Sequence, residues 1–371
     1  MKKIKILYLV STLKKCGPIN ILYGIVKGLD HGLFDISILC LSSEKQLSMK
    51  IPFEKLGCKL MSLNNTRLKG ALKNKEAVKK ILSSNQIDIV HSHGLRADMI
   101  NADLKSVCRF TTIHNFPGED YVLQYGKIKG SIMANKHTKA IARIEHRIAC
   151  SKYISEKFSS SYNLKVSCIN NGIVTSLFQN QVNKTKTELR RALELPLNKK
   201  IFLVSGSLIK RKDPETILKA FDQLNDNETI LVLIGTGKLE NKLKSRFKSD
   251  DILFKGAVNN VSDYLYACDF FISSSSSEGL PNSVLEAMYS GLPVILSDID
   301  SHREIVGHSY PFLFKPSSVS ELKEKLSLIV KLDNTSLIKS NAALIISDFN
   351  AKDMAKQYQK KYLDQCLNSE K

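Results

Sequence analysis

Short apolar runs, each closed by a polar turn, alternate along this chain with amphipathic stretches, and few architectures accept that rhythm. The first half carries KIKILYLV (3–10), DISILCL (35–41), IDIVHSH (87–93), FTTIHN (110–115) and HRIACS (146–151). The second half repeats the pattern with KIFLVSG (200–206), TILVLIG (229–235), DILFKG (251–256), DFFISSS (269–275) and LPVILSD (292–298). Between them, residues 19–29, 72–82, 141–148, 214–224, 239–247 and 283–290 space their apolar side chains as helices do. Runs this apolar have no polar face to offer water, so they predict parallel strands covered by helices on both sides. A length of 371 residues is long for one core and sufficient for two. The expected fold class is α/β, each half its own doubly wound unit.

The boundary is expected within SCINNGIVTSLF (167–178), where a strand-like run ends in the turn signal Asn171-Gly172 and the polar stretch 179–187 follows. This gives a first domain over 1–172, a second over 173–345, and a tail over 346–371. Residues 350–366 of that tail read as a polar helix expected to pack back on the first domain. No short-period repeat is present, and the one low-complexity tract is Ser273–Ser277.

Charge is unevenly placed. The formal net charge is +19, with 28 Lys/Arg against 12 Asp/Glu in residues 1–170 and 27 against 24 in the remainder. A one-sided positive field attracts nucleic acid, anionic headgroups or phosphorylated substrates; a merely solvated lysine-rich surface is an equal reading. Residues 68–82 and 127–147 gather Lys69, Lys73, Lys75, Lys79, Lys80, Lys127, Lys129, Lys136, Lys139, Arg143 and Arg147 around apolar positions. Basic amphipathic helices of this kind either lie on an anionic membrane or face water. The cysteines at 16, 40, 58, 108, 150, 168, 268 and 366 show no CxxC and no metal-ligand spacing, which predicts reduced thiols in a cytoplasmic protein. MKKIKILYLVSTLKKC lacks the apolar length and cleavage site of a signal peptide and reads as a first strand. No run approaches the ~20 apolar residues of a membrane span, so membrane contact is expected to be peripheral.

The stretch SEGLPNSVLEAMYSGLPVI (277–295) places Glu278 in a turn and Glu286 in the helix that follows. Strand, glycine turn and helix aim the unpaired N–H groups near 280–284 at the carboxyl edge of a parallel sheet, which predicts an anion site. The two carboxylates do not suit a glycosidase pair. A helical spacing would part their backbones by about 12 Å, against about 5–9.5 Å for such pairs. They suit a ligand with hydroxyls at both ends, since an ionised carboxylate accepts several hydroxyl donors. Upstream, LVSGSLIKRKDPETILKAF (203–221) sets Lys210, Arg211 and Lys212 ahead of a helix opened by Asp213-Pro214. Alone, KRK reads as readily as a solvated loop; beside the glutamates it suits a diphosphate.

These features, with GLPVI (291–295), GTG (235–237) and SDIDSHREIV (297–306), resemble the retaining glycosyltransferases of family 4. KKCGPINILYGIVKGL (14–29), DIVHSHGLRADM (88–99), TTIHN (111–115), CSKYISEKF (150–158) and INNGI (169–173) extend the similarity over nearly the whole chain. The resemblance implies a GT-B fold, two Rossmann-like domains facing each other across a cleft, with acceptor on the first domain and donor on the second. It implies a metal-independent transfer from a nucleotide diphosphate sugar, UDP-linked, to a glycan or lipid-linked acceptor in bacterial surface polysaccharide or capsule synthesis. No cofactor is expected.

Residue by residue, the resemblance sets Glu278 against the donor sugar, Glu286 on the ribose hydroxyls and Lys212 on the donor phosphates. Gly279, Leu280, Pro281 and Asn282 form the sugar and phosphate cradle. Gly17 lets the chain approach the diphosphate, His114 lies near the donor sugar, and Val258 falls in a region that contacts the base. Two departures stand out: Ser207 replaces a frequent arginine, with Arg211 as its expected substitute, and Cys16 replaces a frequent glycine.

His91 and His93, two apart on a strand, share one face without a third ligand of evident spacing, so hydrogen bonding is favoured over a metal. Glu119-Asp120 either meets the acceptor or forms an acidic loop in solvent. Two rival readings stay open. One is a nucleotide-sugar 2-epimerase of the same fold; the other is a basic nucleic-acid-binding protein, which no aromatic or arginine-rich motif supports.

Overall fold

The computed structural model describes residues 3–368 apart from 45–47, 65–70, 179–183 and 225, with backbone alone at 71, 72 and 366–368. Lys69, most of the polar stretch after the boundary and the Cys366 side chain therefore lie outside the described residues. The chain forms two compact units, Met1–Gly172 with Ala351–Lys371, and Ile173–Asn350.

The first unit holds a seven-stranded sheet. Its strands are β1 (Ile4–Val10), β2 (Phe34–Cys40), β3 (Lys59–Ser62), β4 (Ile89–His93), β5 (Cys108–Ile113), β6 (His146–Ala149) and β7 (Ser167–Cys168), in the order β3-β2-β1-β4-β5-β6-β7. The second unit holds a six-stranded sheet of β8 (Lys200–Ser205), β9 (Thr229–Ile234), β10 (Ile252–Gly256), β11 (Phe270–Ser273), β12 (Val294–Ser297) and β13 (Leu313–Phe314), in the order β10-β9-β8-β11-β12-β13. Each pairing is parallel, as in β1 with β2 and β4, or β8 with β9 and β11. In each sheet the order reverses beside the unit's first strand, and that reversal opens a crevice at the carboxyl ends of the strands.

The strands expected from the apolar runs are present. The strand-like run before Asn171-Gly172 is β7, whereas the edge strands β3 and β13 were not foreseen, because they are two to four residues long and carry no periodic signal. The helical spacing over 141–148 is corrected by the structure. The basic helix ends at Ala142, and His146–Ala149 forms β6, paired with β5. Ile141, Ile144 and Ile148 are buried from a helix, a turn and a strand in succession, so tertiary pairing overrides the local period.

Side-chain alternation divides the first sheet into two faces. Leu7 and Leu9 of β1, Leu39 of β2 and Val90 of β4 pack with Val78, Ala97 and Ile100 on one face. The opposite face carries Tyr8, His91 and Phe110, and it is covered by the helix Ala351–Asn368. That helix is less polar than its sequence suggested: Met354, Ala355, Tyr358 and Tyr362 form a buried stripe. It crosses the helix Gly17–Gly28 so closely that a side chain at Gly28 would collide with the Ala355 Cβ.

Beneath the helix lies a closed hydrogen-bond chain. The Tyr8 and Tyr362 hydroxyls stand 3.0 Å apart, and Tyr362 meets His91 Nδ1 at 2.6 Å. His91 Nε2 meets Thr112 Oγ1 at 2.9 Å, and Thr112 meets the Tyr358 hydroxyl at 2.9 Å. Burial, with the nearby His114 adding to it, pushes the His91 pKa down to about 3. His91 is therefore neutral in the fold, whereas the unfolded chain protonates it below a pKa near ~6.5. The unfolded state then binds more protons through that interval, and stability falls as the pH falls. Wild-type protein at pH 5 is expected to lose about 2 kcal/mol through this one group relative to pH 7. Urea denaturation at the two pH values measures it, and His91→Gln should lose that share of the dependence.

Candidate functional site

At the crevice of the second sheet, β8 ends at Ser205 and the chain passes through Gly206, Ser207 and Leu208 into a single 3₁₀ turn, Lys210–Lys212. Asp213 adopts the left-handed conformation, with φ at +45°, and Pro214 opens the helix Pro214–Asp222. The neighbouring glycine loop fixes this one: Gly206 N–H donates to Ile234 at 3.0 Å and Leu208 N–H to Thr236 at 3.0 Å. Gly235 has φ at +125°, and a Cβ there would strike the Gly206 carbonyl oxygen. GTG is thus required by two backbones in contact.

From the adjacent β11 the chain runs through Ser274–Ser277 to Glu278, and the helix Asn282–Tyr289 starts without a side-chain cap. The serine tract is a scaffold for the carboxylate. Ser274 Oγ donates to the carbonyl oxygens of Asp213 at 2.8 Å and Lys212 at 3.0 Å, joining the two loops. Ser275 Oγ donates to Glu278 Oε1 at 2.7 Å. Arg211 Nη1 donates to Glu278 Oε2 and to the Ser277 carbonyl, each at 2.6 Å, and the Lys212 ammonium pairs with Oε1. Glu278 is only 6% exposed. Burial on its own would raise its pKa, but the charges of Arg211 and Lys212 more than offset this and hold the carboxyl well below the usual range.

A further layer supports the tract. His302 Nδ1 donates to the Ser297 carbonyl at 2.7 Å, which leaves Nε2 to accept from Ser273 Oγ at 3.3 Å. Ser297 Oγ donates to the Ser275 carbonyl at 2.6 Å. Burial pushes the His302 pKa down to about 4, in keeping with a neutral ring. Ser275, Ser297 and His302 received no role from the sequence. Their signal was available in the unbroken serines and in SDIDSHREIV, but serine tracts more often mark loops than scaffolds.

The structure thus joins Arg211, Lys212 and Glu278 in one cluster of net positive charge. Gly279, Leu280 and Pro281 are buried in the turn beside it, and Asn282 begins the helix. Glu286 stands partly buried in that helix. Ser207 and Val258 lie at the same edge of the sheet, after β8 and β10, with Ser207 exposed. Arg211 pairs with Glu278.

Gly17 and His114 belong to the first unit. Gly17 begins its helix with nothing within 4 Å of where a Cβ would stand. His114 follows β5, and its Nε2 lies 2.9 Å from Nδ1 of His93. Burial pushes the His114 pKa down to about 4, so at neutral pH it offers hydrogen bonds and no charge. Both histidines line a cavity of about 230 Å³ with Cys16, Asp120 and Tyr121, whereas His91 is locked in the core. Glu119 lies in the first turn of the helix Pro117–Tyr125 and pairs with Lys157 at 2.9 Å. Among the described residues, no group of three or more His, Cys, Asp or Glu side chains could hold a metal ion.

Removing one member of a buried ion cluster leaves its partners uncompensated. Glu278→Ala is expected to destabilise the second unit by about 3–5 kcal/mol, and Ser275→Ala by about 1 kcal/mol. Hydrogen exchange of the β11 amides, compared with those of β4, reads both losses.

Residues 185–346 match the model for glycosyl transferases group 1, and residues 20–177 that for glycosyltransferase family 4. The chain is 25% identical over 360 residues to the UDP-Gal:alpha-D-GlcNAc-diphosphoundecaprenol alpha-1,3-galactosyltransferase of Escherichia coli, covering 90% of each chain. It is 25% identical over 368 residues to the Escherichia coli O-antigen biosynthesis glycosyltransferase WclY, covering 96% of this chain and 98% of the other. Anabaena HepE, solved in complex with UDP and glucose, shares the fold with a TM-score of 0.80 at 18% identity, over 97% of this chain and 99% of that one. These matches select the transferase over the epimerase and nucleic-acid readings. With each half matching one half of the same family, the chain belongs to the family 4 glycosyltransferases, with the two parallel-sheet α/β domains of the GT-B fold.

Proposed function

We propose that this glycosyltransferase is retaining and metal-independent, and that it moves a sugar from a UDP-sugar to a glycan or lipid-linked acceptor in bacterial surface polysaccharide synthesis. The observation that carries the reading is the buried cluster of Arg211, Lys212 and Glu278 at the crevice of the second sheet. Its cations outnumber its carboxylate, so it favours a diphosphate without requiring a metal ion. Glu278 accepts three of the roughly four hydrogen bonds a carboxylate can take, which leaves capacity for a sugar hydroxyl. The helix Asn282–Tyr289, which starts just after Glu278, adds the positive end of its dipole.

In the reaction, the bond from the anomeric carbon to the diphosphate breaks and its electron pair leaves with the phosphate oxygen. Lys212 and the helix start stabilise that charge as it develops, while Arg211 keeps Glu278 ionised and oriented. The acceptor oxygen bonds to the anomeric carbon on the face the diphosphate leaves, and its proton passes to the departing phosphate. The UDP donor and the lipid-linked acceptor are supported by the names of the galactosyltransferase and of HepE, and the polysaccharide setting by that of WclY.

One helix supports a peripheral position at the inner face of the membrane. Lys127–Ala142 exposes Ile128 at 82% and Ile132 at 53%, one turn apart, among Lys127, Lys129, Lys136 and Lys139. Apolar side chains standing out between lysines match an anionic lipid surface. Of the lysines of 71–85, Lys75 pairs with Asp103 and Lys79 with Glu76. Among the described residues no helix is long and apolar enough to cross a membrane.

A thermal-shift screen of nucleoside diphosphates tests the donor. UDP at ~100 times its Kd should add about 2.7 kcal/mol of stability. Lys212→Ala should abolish the gain, and EDTA should not. Gly17→Ala should leave the melting temperature in place and raise the donor KM, because only a ligand can meet the new methyl group. Absence of any shift with UDP, GDP or their sugars would refute the donor reading. Flotation with phosphatidylglycerol liposomes at low salt tests the membrane position. The wild type should float, Ile128→Glu with Ile132→Glu should not, and a wild type that stays in the pellet rejects it.

A further inference from the structure

Behind the Glu278 cluster lies a set of polar groups closed to solvent: Ser275 is 1% exposed, and Ser297 and His302 are fully buried. His302 stands in the helix Asp300–Val306, which follows β12, while Ser273 ends the neighbouring strand β11 and Ser275 comes just after it. A carbonyl oxygen only accepts, so the 2.7 Å contact of His302 Nδ1 with the Ser297 carbonyl places the ring proton on Nδ1. Burial keeps the ring neutral, which makes Nε2 an acceptor, and the hydroxyl within reach is that of Ser273 at 3.3 Å. Ser297 Oγ donates its own proton to the Ser275 carbonyl at 2.6 Å. His302 therefore holds Ser297, and Ser297 holds Ser275.

Ser275 decides how Glu278 presents its lone pairs. Its hydroxyl donates to Oε1 at 2.7 Å, and the Lys212 ammonium pairs with the same oxygen. Two donors fill the two lone pairs of Oε1. Oε2 accepts from Arg211 Nη1 at 2.6 Å, which leaves its second lone pair for a ligand. The open position stays on Oε2 only while Ser275 keeps Oε1 filled. Binding that depends on this direction is sensitive to small shifts, since a misplacement on the order of 1 Å in a site costs about 100-fold.

We propose that His302 is a positioning residue of the donor site: through Ser297 it holds Ser275 against Oε1 of Glu278, and so keeps Oε2 as the oxygen that receives a hydroxyl of the donor sugar. The inference rests on the donor reading above and names what orients its carboxylate. His302 itself touches no substrate; it acts through the two serines.

Calorimetric titration of UDP, UDP-glucose, UDP-galactose and their N-acetylamino counterparts into the full chain tests it. The wild type should bind UDP and at least one UDP-sugar. His302→Ala should weaken that UDP-sugar by about tenfold or more and leave UDP within about twofold, because UDP lacks the sugar that Oε2 would meet. His302→Asn should recover most of the loss, since its amide N–H can stand in for Nδ1. Ser297→Ala should repeat the selective loss, and it carries the test if His302→Ala does not fold. The double variant should lose no more than the worse single one, as groups of one chain do. Parallel weakening of UDP and UDP-sugar in Ser297→Ala, or no recovery in His302→Asn, marks a merely structural role and overturns the proposal. So does a UDP-sugar affinity that both His302→Ala and Ser297→Ala leave unchanged. A wild type that binds no UDP-sugar refutes the donor reading instead, so the two failures are distinguishable.

Discussion

In a parallel sheet the order of strands can reverse, and where it does the connecting chains leave on opposite faces and cannot cover the strand ends. Each unit of this protein has one such place, between β1 and β4 in the first and between β8 and β11 in the second. The groups with chemical capacity gather there. Arg211, Lys212 and Glu278 come from the loops after β8 and β11, and His93 and Tyr121 border the cavity beside the ends of β1 and β4. The apolar strands that form the sheets also set the places where polar groups can assemble without breaking a core.

The second unit resolves a conflict between charge and burial. A carboxylate as enclosed as Glu278 is costly to hold ionised, and two cations with a serine hydroxyl make it favourable. The serines and His302 then hold the loops that carry those charges. The proposed donor role asks for such an arrangement, since charges fixed in place need little reorganisation when charge develops on a leaving diphosphate. It differs from a glycosidase pair, in which two carboxylates share the work; here one carboxylate is fixed by cations and the other stands farther along the helix.

The first unit uses its polar groups otherwise. On one face of its sheet, His91 is closed among Tyr358, Tyr362 and Thr112 and fastens the C-terminal helix. Two residues along the same strand, His93 reaches the cavity, and its Nε2 has no hydrogen-bond partner among the described residues. Ser92, between them, points through the sheet to Asp98. Three consecutive polar residues of β4 therefore serve the helix, the Asp98 carboxylate and the cavity, because alternation turns neighbours to opposite faces.

Much of the fold was legible in the sequence, since apolar runs and helical spacing are local signals that secondary structure obeys directly. Glu278, Lys212 and the glycine turns stood out as residue types suited to a strand–turn–helix end, and the structure brings the first two into contact. Legibility failed at 141–148, where three isoleucines at helical spacing are divided among a helix, a turn and a strand, and at edge strands too short to show a period. It failed as well for the partners of each polar group. Nothing local says that Arg211 grips Glu278 or that Asp98 holds His137, because those contacts join residues distant in sequence and exist only once the strands are in order. The sequence by itself determined most of the strands and helices and which residue types wait at their ends. The tertiary structure alone decided which of those side chains meet, because burial makes an unpaired charge or donor costly and only the assembled sheet determines what lies within reach of it.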